Sequence, residues 1–168
     1  KALRLLAQEG KESFTCDGDI FVPLLNDPVW FVRLQAAKTL GKMRCENFID
    51  MLKKLSLDER WQVRDSAAFA LSEIGEPAVD AFLELMETPD RYAKESVCEE
   101  IQRSGFVLDL IDYLGGADLD LKAKAKRILF QMHGLGFSAP LLDAFDSETV
   151  TPALRSELAM ILQAGGVK

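Results

Sequence analysis

Apolar residues recur along this chain at the three- and four-residue spacing of a helix face, and the recurrence itself repeats. Val32 to Leu40 reads Val-Arg-Leu-Gln-Ala-Ala-Lys-Thr-Leu, and Val63 to Leu71 reads Val-Arg-Asp-Ser-Ala-Ala-Phe-Ala-Leu, 31 residues further on. Weaker copies start at Ala93, Leu121 and Leu154. With the first residue of each copy as position 0, apolar side chains fall at positions 0, 4 and 8, usually with a small residue at 5. At 3.6 residues per turn these gather on one side. The pattern predicts five amphipathic helices beginning near residues 30, 61, 91, 119 and 152.

Shorter apolar segments lie between the copies: Ile20 to Leu25, Phe48 to Leu52, Pro77 to Met86, Phe106 to Leu114 and Ala139 to Phe145. Each repeat is therefore expected to be a pair of helices, the copy above forming the second. Pro28, Pro89 and Pro152 precede or open the second helices, where a missing amide donor costs little, and Asn26, Asp27, Thr88 and Thr151 are suitable caps. Gly75, Gly105, Gly134 and Gly166 stand where helices should stop in a left-handed turn. Ala2, Leu3, Leu6 and Gly10 match the end of a further, truncated copy. The expectation is a single array over residues 1–168, cut from a longer protein.

An Asp-containing turn followed by Val-Arg, paired Ala, Leu and Gly resembles the short bacterial HEAT-like repeats known from phycobilin lyase proteins. The likeness is strongest over Asp27 to Gly41 and Asp58 to Gly75, covers nearly the whole chain, and departs at Lys126, which occupies the usually small position 5. The resemblance implies an all-α, right-handed α–α superhelix of about five helix pairs, with second helices lining an inner face, and a role in protein assembly. It also implies that Arg33, Arg64, Lys94, Lys122 and Arg155, the cations at position 1, form a structural ladder with acidic turns such as Asp27 and Asp58. Read instead as a stripe that tracks phosphates, the same column would bind nucleic acid.

Charge weighs against that second reading, because a formal net charge of -7 lacks the cationic surplus that drives nucleic-acid binding. No apolar run reaches the length of a membrane span of about 20 residues. Three widely spaced cysteines with no Cys-x-x-Cys pair suggest neither a disulfide framework nor a thiolate metal site, which points to a reducing, cytoplasmic setting.

Candidate contact residues follow from the helical pattern. Trp30 and Trp61 share one position before successive copies and could form an aromatic edge, or fill the junction between repeats. Lys38, Phe69, Glu99, Arg127 and Met160 occupy position 6, opposite the apolar stripe and facing the inner groove; Glu95 and Glu99 make the third copy acidic, and Lys124 and Arg127 make the fourth basic. Such alternation suits a protein partner better than a polyanion.

Catalytic candidates are sparse. With His133 as the single histidine, neither a two-His metal site nor a relay between histidines can be built, and His133 beside Gly134 reads as a helix-end cap. Iron-binding His-Glu pairs of HEAT-like hydroxylases and the strongly basic groove of HEAT-like glycosylases are both missing. The sequence thus reads as a non-catalytic interaction scaffold without cofactor or metal, holding a protein on its inner helical face. A phycobilin lyase-like or other protein-modifying subunit is the alternative.

Overall fold

A computed structural model describes residues 16–164 of the 168-residue chain. The truncated copy ending at Gly10 and the stop at Gly166 lie outside the described residues. Ten α-helices follow one another among the described residues: α1 (Gly18–Leu25), α2 (Trp30–Lys42), α3 (Ile49–Leu55), α4 (Trp61–Ile74), α5 (Val79–Glu87), α6 (Arg91–Ser104), α7 (Phe106–Gly115), α8 (Leu119–Gly134), α9 (Ala139–Asp146) and α10 (Pro152–Ala164). Short 3-10 turns at Glu46–Phe48 and Glu76–Ala78 lead into α3 and α5, and no strand occurs among the described residues. The fold is all-α, built from helix pairs in series. The even-numbered helices are the second members of the pairs. The described residues divide into two compact units, one up to Glu100 and the other from Ile101 onward.

In the first unit, α2 and α4 illustrate why the repeats stack. Position 5 is Ala37 in one and Ala68 in the other, and both are fully buried together with Ala36, Leu40, Ala67 and Leu71. Small side chains let the two helix backbones approach until Gly41 of α2 lies against the main chain of Ala70 on α4; a Cβ on Gly41 would sit 2.5 Å from the Ala70 Cα. The first helices close the other side. Phe21 of α1 meets Phe48 edge-on at 5.8 Å between ring centres, and Leu52, Phe82 and Leu85 are buried beneath. Burial of these side chains supplies most of the favourable free energy, since each is worth about 1.5–3 kcal/mol relative to exposure.

In the second unit, Leu110 and Leu114 of α7, Ala125, Ile128, Leu129 and Met132 of α8, Leu141 of α9, and Leu158 and Ile161 of α10 form the core. Asp118 opens α8 by accepting the amides of Asp120 and Leu121 at 3.0 Å each.

Helix ends follow the glycine pattern in part. Gly75 (φ 83°) and Gly105 (φ 82°) take the left-handed region. Gly134 does not. It remains inside α8, and the chain turns two residues later at Gly136 (φ 96°). Arg44, at the place equivalent to Gly75, adopts φ 52° despite its side chain.

The cysteine reading needs correction. Cys16 and Cys45 are joined by a disulfide, with their α-carbons 5.8 Å apart. Sequence spacing could not show this, because 29 residues separate the two and only packing of α1 against α2 brings them together. The basis for expecting a reducing compartment is thereby removed, since disulfides persist in oxidising surroundings. Replacing Cys45 by Ser should cost about 3 kcal/mol from the restored freedom of the unfolded loop. Urea unfolding with and without dithiothreitol checks this: the reductant should lower the wild-type midpoint and leave the variant unchanged.

Candidate partner-binding surface

The cations at position 1 meet different partners. Arg33 forms a two-pronged ion pair with Asp58 of the following repeat, Nε to Oδ2 at 2.8 Å and Nη2 to Oδ1 at 2.9 Å, and Nη1 also donates to the Asp27 carbonyl at 2.8 Å. Asp58 additionally accepts the Arg60 amide at 2.9 Å, and Asp27 accepts the Val29 amide at 2.7 Å. Burial alone would raise the Asp58 carboxyl, but the Arg33 side chain and the Arg60 amide hold it below its ordinary value. Arg64 donates to the Asp58 carbonyl at 3.0 Å and Arg155 to the Ser147 carbonyl at 2.6 Å, so these two tie down turns without meeting a carboxylate there. Lys94 is half-buried on α6, and its amide closes the turn onto the Asp90 carbonyl at 3.2 Å. Lys122 reaches Glu157 at 3.0 Å.

The expected contact residues are distributed over both units. In the first, Trp61 is exposed at the start of α4. Trp30 is half-buried and meets the exposed Phe31 edge-on at 5.8 Å. Phe69 is half-buried on α4, Glu95 is paired with Arg91 at 2.8 Å, and Glu99 is exposed. In the second, Lys124 pairs with Asp120 at 2.6 Å and Arg127 is exposed on α8.

Arg127 lines a concavity of the second unit. A groove of about 700 Å³ runs between α8 and α10, lined by Arg127, Phe130 and Leu135 on one wall and Met160 and Ile161 on the other. Lys126 and Gly134 also line it. Its cause is the departure at position 5. Where α2 and α4 have an alanine, α8 has Lys126, whose stem cannot be enclosed between closely approaching backbones. The lysine instead extends to α10, where its Nζ meets Glu157 Oε2 at 2.8 Å. Lys126 and Lys122 together hold the Glu157 carboxyl below its ordinary value. The two second helices are thus spaced by a charged strut, leaving Phe130 and Met160 exposed between them.

Of these lining residues Arg127 and Met160 were selected from the sequence, both at position 6; Lys126 was visible as a mismatch in the repeat. Phe130 had no such signal, because position 9 carries no fixed residue type in the other copies.

Nucleophilic chemistry has little footing. Burial pushes the Cys98 thiol up to about 12, with Glu95 and Glu99 adding to the effect, so it carries no thiolate near neutrality. His133 is engaged through Nδ1 with the Ser138 hydroxyl at 2.6 Å, a side-chain contact in place of the expected cap on helix carbonyls. No three His, Cys, Asp or Glu side chains among the described residues cluster as a metal site would need.

The architecture is that of a helical repeat protein. The family model described as HEAT repeats matches residues 18–103, half of the chain, and the chain belongs to that family. Comparison with curated proteins gives no match. Among solved structures, a crystal structure of an engineered protein is 20% identical, with a TM-score of 0.38, over 88% of this chain and 80% of that one. A designed armadillo repeat protein in complex with the peptide (KR)4 is 17% identical, with a TM-score of 0.39, over 98% of this chain and 91% of that one. Among the described residues no helix is long and apolar enough to cross a membrane.

Proposed function

We propose that this HEAT-repeat chain is a non-catalytic scaffold that holds a segment of a protein partner, and that the groove between α8 and α10 is where the segment docks. The observation that carries this reading is the combination of an open concavity of about 700 Å³ with exposed Phe130 and Met160 inside it. Large apolar side chains left open in a concavity, beside a few polar groups, are the arrangement that buries an anchor from a partner. Trp61 and Phe31 in the first unit, both exposed at helix starts, are auxiliary contacts on the same reading. Nucleic acid fits less well, because Arg33 and Lys122 are already committed to Asp58 and Glu157.

Gly134 provides the test. It lines the groove, is helical, and has nothing within 4 Å of an added Cβ, so a side chain there enters the groove without a clash. A random peptide library selected on the wild-type chain should yield binders, and Gly134→Leu should weaken them about tenfold or more in calorimetric titration. The same variant should keep its melting temperature, as leucine is a better helix former than glycine. Selected peptides that bind the variant as tightly would place docking elsewhere, and failure to select any would count against the scaffold itself.

A further inference from the structure

α1 depends on the disulfide more than its neighbour α2 does. It has 8 residues, short of the length of about 12–15 at which a helix begins to hold by itself in water. Pro23 lies inside it and removes one of its few backbone hydrogen bonds. Two of its side chains, Phe21 and Leu25, are buried, whereas Ile20 and Val22 are exposed.

α2 is secured from several directions. Leu34, Ala36, Ala37, Thr39 and Leu40 are buried, Gly41 lies against the Ala70 main chain, and Arg33 is paired with Asp58. The Cys45 end of the disulfide belongs to this firm side. Cys45 is 1% exposed; its amide donates to the Leu40 carbonyl at 3.1 Å, and its carbonyl accepts the Phe48 amide at 3.1 Å. Cys16 belongs to the other side, half-buried just ahead of the Asp17 cap of α1, with its carbonyl accepting the Asn47 side-chain amide at 3.2 Å.

We infer that the Cys16–Cys45 disulfide is a redox clasp, which a dithiol opens to free α1 while α2 to α5 stay folded. The thiolate of the reductant attacks Sγ of Cys16, the less buried of the two residues. The Sγ–Sγ bond breaks, and Cys45 leaves as a thiolate that takes up a proton. The second thiol of the reductant then displaces Cys16. Two electrons thereby pass to the protein, both cysteines end as thiols, and the reductant ends as a disulfide. The stability lost on reduction falls on α1, which opens locally because two buried side chains are left to hold it. Its departure uncovers Phe48, which Phe21 meets edge-on in the closed form.

Amide hydrogen exchange on the full chain under native conditions, with and without dithiothreitol, decides the matter, intact mass confirming that the disulfide has been reduced. Reduction should speed exchange in residues 21–26 about tenfold or more and leave residues 34–41 and 63–71 as slow as before. The double variant Cys16→Ser, Cys45→Ser should show the fast α1 pattern without reductant and no response to it. α1 amides as protected after complete reduction as before it would overturn the inference. So would α2 and α4 losing protection together with α1, in the reduced chain or in the double variant. A disulfide that dithiothreitol opens only at urea concentrations where the whole unit unfolds would do the same.

Discussion

Gly41→Leu is expected to disrupt the α2–α4 stack so severely that the first unit no longer folds cooperatively. The obstacle is main chain: an added Cβ would stand 2.5 Å from the Ala70 Cα and 2.9 Å from its Cβ, and no rotamer change on α4 relieves that. Even Gly41→Ala should be destabilising. Alanine gains about 1 kcal/mol over glycine as a helix former, but overpacking at a backbone contact costs about 1–3 kcal/mol and more when helices must part. Clash should therefore outweigh propensity. Circular dichroism melts of both variants give the comparison, with a progressive loss from glycine to alanine to leucine. An alanine variant as stable as the wild type would mean that α2 and α4 are not in the close contact described.

Asp58→Ala is the second large effect, at about 3 kcal/mol of lost stability, because it strands a mostly buried guanidinium. The Asp58 and Arg33 side chains are 9% and 12% exposed, and the aspartate also caps the Arg60 amide. Asp58→Asn should be milder, as it keeps part of the hydrogen bonding. The sign of the pH dependence follows from the lowered pKa of Asp58. A carboxyl held below its ordinary value contributes its full stabilisation above the unfolded-state pKa of about 4. That contribution fades as pH falls through the lower folded-state value. The gap in urea midpoint between wild type and Asp58→Asn should thus be widest near neutrality and narrow as the pH falls below about 4. A gap that stays constant with pH would show that the Arg33–Asp58 pair is not the stabilising element.

The helical class and its repeat could be read because they depend on spacing alone. Val32 to Leu40 and Val63 to Leu71 impose the same apolar stripe, and Gly75 and Gly105 take the positive φ that their places before a turn demand. What could not be read depends on the third dimension or on a compensating side chain. Arg44 occupies a left-handed position without being glycine. Gly134 continues α8 because Gly136 makes the turn. The Cys16–Cys45 disulfide needed two segments 29 residues apart to meet.

The candidate surface was legible only in outline. Position 6 marks Arg127, which is exposed on α8, but the groove exists because Lys126 replaces a small residue at position 5 and engages Glu157. A repeat pattern marks such a residue as a mismatch; it takes the neighbouring helix to show that the mismatch makes space.

The most direct measurement is amide hydrogen exchange on the chain with a library-selected peptide bound. Slowed exchange should fall on α8 and α10, around residues 126–135 and 157–164, with little change in α1 to α5. Protection confined to α1 to α5, with α8 and α10 unaltered, would contradict docking in the groove.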